Sequence, residues 1–279
     1  MRTLKFALFL IGTLLLLINV VGLFKTMRNP AIYEEEITLR NRINDITIRY
    51  PEIKKLLVKQ DGESDKDFAL RITKVVKDGF SHYWKREGID KYYLRVPIWE
   101  NYMLYAASFI NPRKYERYEF TDYRKNLERG VGLCSTHSTI VKGVLNDYGI
   151  EADLLDIWGH VVVRAQVSDN EWYMLDPDYG IVVPHDTTEI HADPEIVRPY
   201  YADLASQYYE DVKDPYTTDK VVELYGRDRN KIYQVYNPWE KIFYWAIWIF
   251  PLLLMTPFGI TYLRKKKSGV GDRKASVTA

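Results

Sequence analysis

Residues 130–149 read GVGLCSTHSTIVKGVLNDYG and contain Cys134, the only cysteine in 279 residues. From Ser135 to Tyr148 the apolar residues Ile140, Val141, Val144 and Leu145 recur at helical spacing, and Gly149 stands where a left-handed C-cap belongs. The spacing therefore predicts a helix that opens at the thiol. A sulfur at a helix N-terminus feels the positive end of the macrodipole, which favours thiolate. The backbone N–H groups of the first turn point outward there and can serve a developing oxyanion. A cysteine that only fills a core needs no such position. Taken alone, though, an inert buried thiol is the commoner reading.

Three strand-like runs follow, at 152–158 (ADLLDIW), 161–167 (VVVRAQV) and 171–175 (EWYML). Ser168-Asp169-Asn170 turns the second into the third, and Asp176-Pro177-Asp178-Tyr179-Gly180 ends the third. One helix followed by an antiparallel meander is an α+β arrangement. Upstream, 34–50 reads as helix, and Pro51 restarts a short helix over 51–60. Ser64 and Asp67 form a capping box for a helix over 65–84, whose Phe68, Ile72, Val75, Val76 and Phe80 share one face. Residues 99–110 (WENYMLYAASFI) predict another helix, 112–124 a tyrosine-rich loop, and 186–238 helix and loop.

The ends of the chain differ from its middle. Residues 1–28 carry +4 and residues 264–279 carry +5, so with a net charge of +1 the segment between them carries −8. This gives no basic field for nucleic acid. Residues 6–24 and 242–263 are uncharged runs of 19 and 22 residues, and about 20 apolar residues cross a bilayer core of ~30 Å. The first run is longer than a signal-peptide core and no A-x-A-like site follows it, so it reads as an uncleaved anchor. Arg264 to Lys267 lie directly after the second run and are expected to stay cytoplasmic. Both termini are then cytoplasmic, and the intervening segment is extracytoplasmic, at an inner or plasma membrane. The expected partition is an anchor at 1–28, a helical lead-in at 29–63, a core at 64–185, a juxtamembrane segment at 186–240, a transmembrane helix at 241–263 and a basic tail at 264–279. The lipid bilayer is thus one expected partner.

A lone thiol in an oxidising compartment has no intramolecular disulfide to form, so it is either inert or kept for reactivity. Five histidines are available as its base: His82, His137, His160, His185 and His191. His137 lies one turn along the same helix, where nothing in the sequence orients it, and it reads as a helix-face residue. His185 and His191 fit no standard metal spacing. His160 begins a strand after Trp158-Gly159. A short turn at 168–170 brings Asp176 opposite 161–163, close enough for a carboxylate to hold the His160 imidazole. Asp178 lies past the proline, and Asp156 reads as a strand or turn residue. Cys134, His160 and Asp176 in this relation are a thiol version of triad logic.

The motifs Gly132-Leu133-Cys134 at a helix start, Gly159-His160 at a strand start and Trp172-Tyr173-Met174-Leu175-Asp176-Pro177-Asp178-Tyr179-Gly180 resemble the transglutaminase-like superfamily. The resemblance covers roughly 64–185. It implies a papain-like α+β fold, a nucleophile helix packed on an antiparallel sheet, here flanked by two transmembrane helices and of bacterial character. It implies Cys134 as nucleophile, His160 as general base and acid, and Asp176 as orienting carboxylate. The chemistry implied is acyl transfer on a peptide, protein or other amide-bearing envelope substrate through a thioester, ending in hydrolysis, deamidation or an isopeptide bond. No cofactor or metal is called for. The same fold can also serve as a non-catalytic envelope binding module. A second oxyanion donor is expected from the tyrosine-rich loop or from Trp99–Tyr102.

Overall fold

The computed structural model describes residues 2–34, 41–43, 45–83, 85–213, 215–227, 231–233 and 237–275, without the side chains of residues 231 and 263–275. Among them the helices run, in chain order, α1 (Arg2–Gly22), α2 (Tyr50–Leu56), α3 (Asp65–Gly79), α4 (Ile98–Ile110), α5 (Pro112–Tyr115), α6 (Tyr123–Arg129), α7 (Cys134–Asp147), α8 (Thr187–Ala192), α9 (Thr218–Gly226) and α10 (Trp239–Ala275). The strands are β1 (Ser81–His82), β2 (Val131–Gly132), β3 (Ala152–Asp156), β4 (Val161–Ser168), β5 (Glu171–Asp176), β6 (Ile181–Val183) and β7 (Lys231–Ile232). They divide into two compact units. One comprises Met27–Arg95 and Arg117–Asn237; the other comprises Met1–Thr26, Val96–Glu116 and Pro238–Ala279.

The first unit is α+β, built on an antiparallel sheet in the order β6-β5-β4-β3-β7. Its two faces are separated by the strand pleat. Val161, Val163, Ala165 and Val167 of β4, with Tyr173 and Leu175 of β5, face one side. There they meet Phe68, Ile72 and Val76 of α3 and Ile140, Val141, Val144 and Leu145 of α7. Val162 and Met174 point to the other side, into a second apolar cluster with Val197, Tyr201, Val221 and Tyr225. Residues 186–226 therefore cover the second face. Burial on both sides explains why β4 begins VVV instead of alternating apolar and polar residues. Each fully buried Phe or Ile in these layers, such as Phe68 and Ile72, contributes about 1.5–3 kcal/mol of transfer free energy.

Two local expectations change. The helix expected over 65–84 starts as read, with the Ser64 side chain accepting from Asp67 N, but it ends at Gly79. Ser81 and His82 instead pair in parallel with Val131 and Gly132, because β2 offers an open edge next to the start of α7. Of the helix expected over 34–50, residues 41–43 and 45–49 are not helical and 35–40 and 44 lie outside the described residues. Arg42 there is drawn into a buried ion pair, and that tertiary contact outweighs local propensity.

The second unit holds α1 and residues Trp239–Tyr262 of α10, both long and apolar enough to cross a membrane. Gly12 allows them to approach closely, since a Cβ there would stand 2.6 Å from the Pro251 carbonyl oxygen. Asn19, buried between them, donates to the Ile247 carbonyl at 2.5 Å. The helix expected over 99–110 lies in this unit as α4, but it is broken at Asn101, whose backbone is extended (φ −159°, ψ 99°), so the continuous stretch begins at Tyr102.

Candidate functional site

The glycines before the thiol have structural reasons. Gly130 adopts φ 73° and terminates α6 in the left-handed region, where a side chain would be strained. At Gly132 a Cβ would stand 2.4 Å from the Thr136 side chain, which accepts from Leu133 N at 3.2 Å and caps α7. Thr136 Oγ1 also donates to Glu119 Oε1 at 2.8 Å, and Ser135 donates to the same oxygen. The start of α7 is thus fixed by the side chains of Ser135 and Thr136, directly after Cys134, held by Glu119. The free thiol is half-buried on the first residue of the helix, where the backbone N–H groups have no intrahelical acceptor.

β3 and β4 are joined by a two-residue turn, Trp158-Gly159, with φ of 60° and 97°. It is closed by Ile157 N to His160 O at 2.8 Å and tied by Gly159 N to Asp156 Oδ1 at 2.7 Å. His160 emerges from this turn. In the β4–β5 register Val163 pairs with Leu175, so Asp176 falls opposite Val162, two positions from His160. The His160 Nε2 lies 2.7 Å from Asp176 Oδ2, and both side chains are 1% exposed. Tyr201 donates its hydroxyl to the same Oδ2 at 2.9 Å, and Asp178 N donates to Oδ1 at 3.2 Å, so the carboxylate is locked in place.

The Cys134 side chain lies close enough to the His160 ring to help raise its pKa. With Nε2 held by Asp176, Nδ1 is the nitrogen left for sulfur. Burial pushes the His160 pKa down, but the charge and hydrogen bond of Asp176, together with Cys134, outweigh it and hold the imidazole well above its ordinary value. The rings of Tyr179 and Tyr216 lie 5.5 Å from the His160 ring and exclude water from two sides. The structure thus brings Cys134, His160 and Asp176 together.

Beside them is a second cluster that the sequence reading did not assemble. Asp178, 1% exposed, is paired with Arg42, 3% exposed. Its Oδ1 lies 2.8 Å from His82 Nδ1 and 3.6 Å from His137 Nδ1. Arg42 also stacks over the Tyr179 ring at 4.1 Å and approaches His82 Nδ1 at 2.8 Å. Burial and the Arg42 charge lower the pKa of His82 and His137 against the pull of Asp178, so both rings are neutral. A neutral His82 cannot both donate to Asp178 and accept from Arg42 through one nitrogen. Asp178 is held well below the carboxylate range: burial raises it, and Arg42 with the histidines more than reverses that. His137 is therefore a buried member of this cluster, its Nδ1 donating to Leu133 O at 2.8 Å. Asp178 serves His82 and not His160. The only sequence signal for any of this was the spacing of Asp176 and Asp178; nothing local marked His82 or Arg42.

Trp99 and Tyr102, considered for oxyanion donation, belong to the other unit. His185 pairs with Glu189 at 3.2 Å on α8. Among the described residues no group of His, Cys, Asp and Glu is arranged to hold a metal ion. Comparison with family models, with curated proteins and with solved structures returns no match.

Proposed function

We propose that this chain is a membrane-anchored thiol enzyme of the transglutaminase-like, papain-like kind, performing acyl transfer on amide groups at the extracytoplasmic face of the membrane. One observation carries the reading: a buried imidazole held on one side by Asp176, with a thiol at a helix N-terminus close enough to raise its pKa. In the reaction, the sulfur of Cys134, its proton already held by the His160 imidazolium, adds to the substrate carbonyl carbon. The developing oxyanion is met by first-turn N–H groups of α7. The tetrahedral adduct collapses as the C–N bond breaks, His160 returns the proton to the leaving nitrogen, and a thioester remains. Water or an amine then adds to the thioester with His160 as base, releasing acid or a new amide and restoring the thiol. Asp176 stabilises the imidazolium and fixes its orientation throughout. The orientation in the membrane follows from Arg264 to Lys267, which hold the C-terminal tail in the cytoplasm.

The test is alkylation of the single cysteine by iodoacetamide across pH, using the full chain in detergent. An unassisted thiol titrates near ~8.5, so at pH 6.5 only about 1% is thiolate. The expected result is a rate at pH 6.5 within a few-fold of that at pH 8.5. In His160→Ala the pH 6.5 rate should fall about 100-fold; in His191→Ala it should not change. A wild-type profile that simply follows a thiol of ordinary acidity would end the enzyme reading and leave a binding module.

A further inference from the structure

α4 lies in Val96–Glu116, a stretch that interrupts the chain of the α+β unit. It belongs to the same compact unit as α1 and α10. It packs on α10 through polar contacts at matched depth: Tyr244 donates to Glu100 Oε1 at 2.6 Å, and Tyr102 donates to the Ile247 carbonyl at 3.2 Å. Further along, Met103 shares an apolar groove with Trp245, Ile249 and Leu253 of α10. At the other side, a Cβ on Gly22 of α1 would stand 2.0 Å from the Trp99 carbonyl oxygen, so the two backbones are in contact there. These contacts set the start of α4, residues 100–103, beside residues 242–253 of α10.

Its polar groups are turned inward. Asn101 and Ser108 are fully buried. The Asn101 Oδ1 accepts from Met103 N and Leu104 N at 3.1 and 3.0 Å, and the Ser108 hydroxyl donates to the Tyr105 carbonyl at 2.6 Å. What faces outward is apolar: Ile98 at 44%, Phe109 at 60% and Ile110 at 84% exposed. Immediately beyond are Asn111, Pro112 and the exposed cations Arg113 and Lys114. α4 breaks at Asn101 (φ −159°, ψ 99°), whose side chain caps the stretch after it, and even its full 13 residues rise at most about 20 Å, too short to cross a hydrocarbon core of ~30 Å. An apolar outer face, exposed like Leu14 and Leu17 on α1 and Leu252 and Leu253 on α10, fits lipid. Cations at the end of such a face fit anionic headgroups.

We propose that Val96–Glu116 is a third membrane element. It lies in the interface of the leaflet that holds the N-terminal half of α10, with Phe109 and Ile110 in hydrocarbon just below the headgroups and Arg113 and Lys114 among anionic headgroups. The inference rests on α1 and α10 being transmembrane, and the test separates the two. In the full chain carrying Cys134→Ser, a single cysteine is placed at Ile110, at Leu14 of α1, or at Val58, which is exposed in the other unit. Each is labelled with the fluorophore NBD and reconstituted in phosphatidylcholine vesicles containing one quarter phosphatidylglycerol. Quenching is read with nitroxide lipids labelled near the headgroup or deep in the chain, and with aqueous iodide.

The expected result is quenching at Ile110 at least threefold stronger by the shallow nitroxide than by iodide, deep quenching at Leu14, and iodide quenching alone at Val58. Phe109→Cys should repeat the Ile110 result if that site labels poorly. Ile110 behaving like Val58 while Leu14 is quenched by lipid overturns the inference alone. Ile110 shielded from both quenchers means a protein surface covers it and also overturns the inference. Leu14 escaping both nitroxides overturns the transmembrane reading and the inference with it.

Discussion

Asp176 and Asp178 are two residues apart, each is 1% exposed, and each lies within 2.8 Å of a histidine nitrogen, yet their histidines take opposite protonation states. His160 is raised well above its ordinary pKa, whereas His82 and His137 are lowered. Burial acts in the same direction on all three, so it does not account for the difference. What differs is the cation already present. Asp178 is paired with Arg42, and a protonated His82 would be a second positive charge beside it. Among the described residues the ion pair of Asp176 is with His160, and its other side-chain donor is the neutral Tyr201 hydroxyl. A buried carboxylate without a cation draws a proton onto its histidine; one already neutralised leaves its histidine uncharged. The two halves of one turn therefore supply an imidazolium for the thiol and a neutral, rigid wall behind it.

The most severe way to break this contrast is Arg42→Leu. It leaves Asp178 compensated only as far as His82 takes up a proton in its place, and a buried carboxylate short of its cation costs up to about 3–5 kcal/mol, which a lowered denaturant midpoint should report. Asp178→Asn in the same chain should recover most of that loss, because the stranded charge is gone. Recovery that fails to appear would mean that Arg42 acts through packing on Tyr179 and not through charge.

A second route is stability against pH. His82 and His137 bind protons less readily folded than unfolded. Their contribution is complete above about pH 6.5 and is lost as pH falls below it. His160 binds protons more readily folded. Its contribution is complete below about pH 6.5 and is lost as pH rises through its raised pKa. Each group bends the stability curve by at most about 1.4 kcal/mol per pH unit. His82→Gln should flatten the acid side and His160→Gln the alkaline side. The same flattening in both variants would remove the contrast.

The smallest expected effect is from Tyr201→Phe, which takes a neutral donor from Asp176. Stability should fall by about 1 kcal/mol, and the pH profile of Cys134 alkylation should keep its shape. A profile that moves toward that of His160→Ala would show that neutral donors, and not only the cation count, set the state of His160.

The legible parts of the chain were those carried by local pattern. Helical spacing after Cys134, β-spacing at 152–175 and a turn near 168–170 put Asp176 opposite the start of the second strand, because the two-residue turn Asp169-Asn170 and the bulge between Gln166 and Ser168 together give the register that a three-residue turn would. The two uncharged runs near the ends gave the membrane-length helices by length alone. Other features were not legible because no local rule contains them. His82 lies in a stretch that reads as the end of a helix, and only the open edge of Val131–Gly132 makes it a strand. Arg42 reads as a solvated helix residue, and only its meeting with Asp178, 136 positions away, buries it. Residues 98–110 read as one more helix, and only their packing assigns them to the unit of α1 and α10. The sequence by itself determined the thiol at a helix start, its histidine and its carboxylate, because propensity and register act over short distances. Which carboxylate keeps a cation, and hence which histidine holds a proton, was decided by the tertiary structure, because charge compensation in a buried site depends on what the fold brings within about 4 Å.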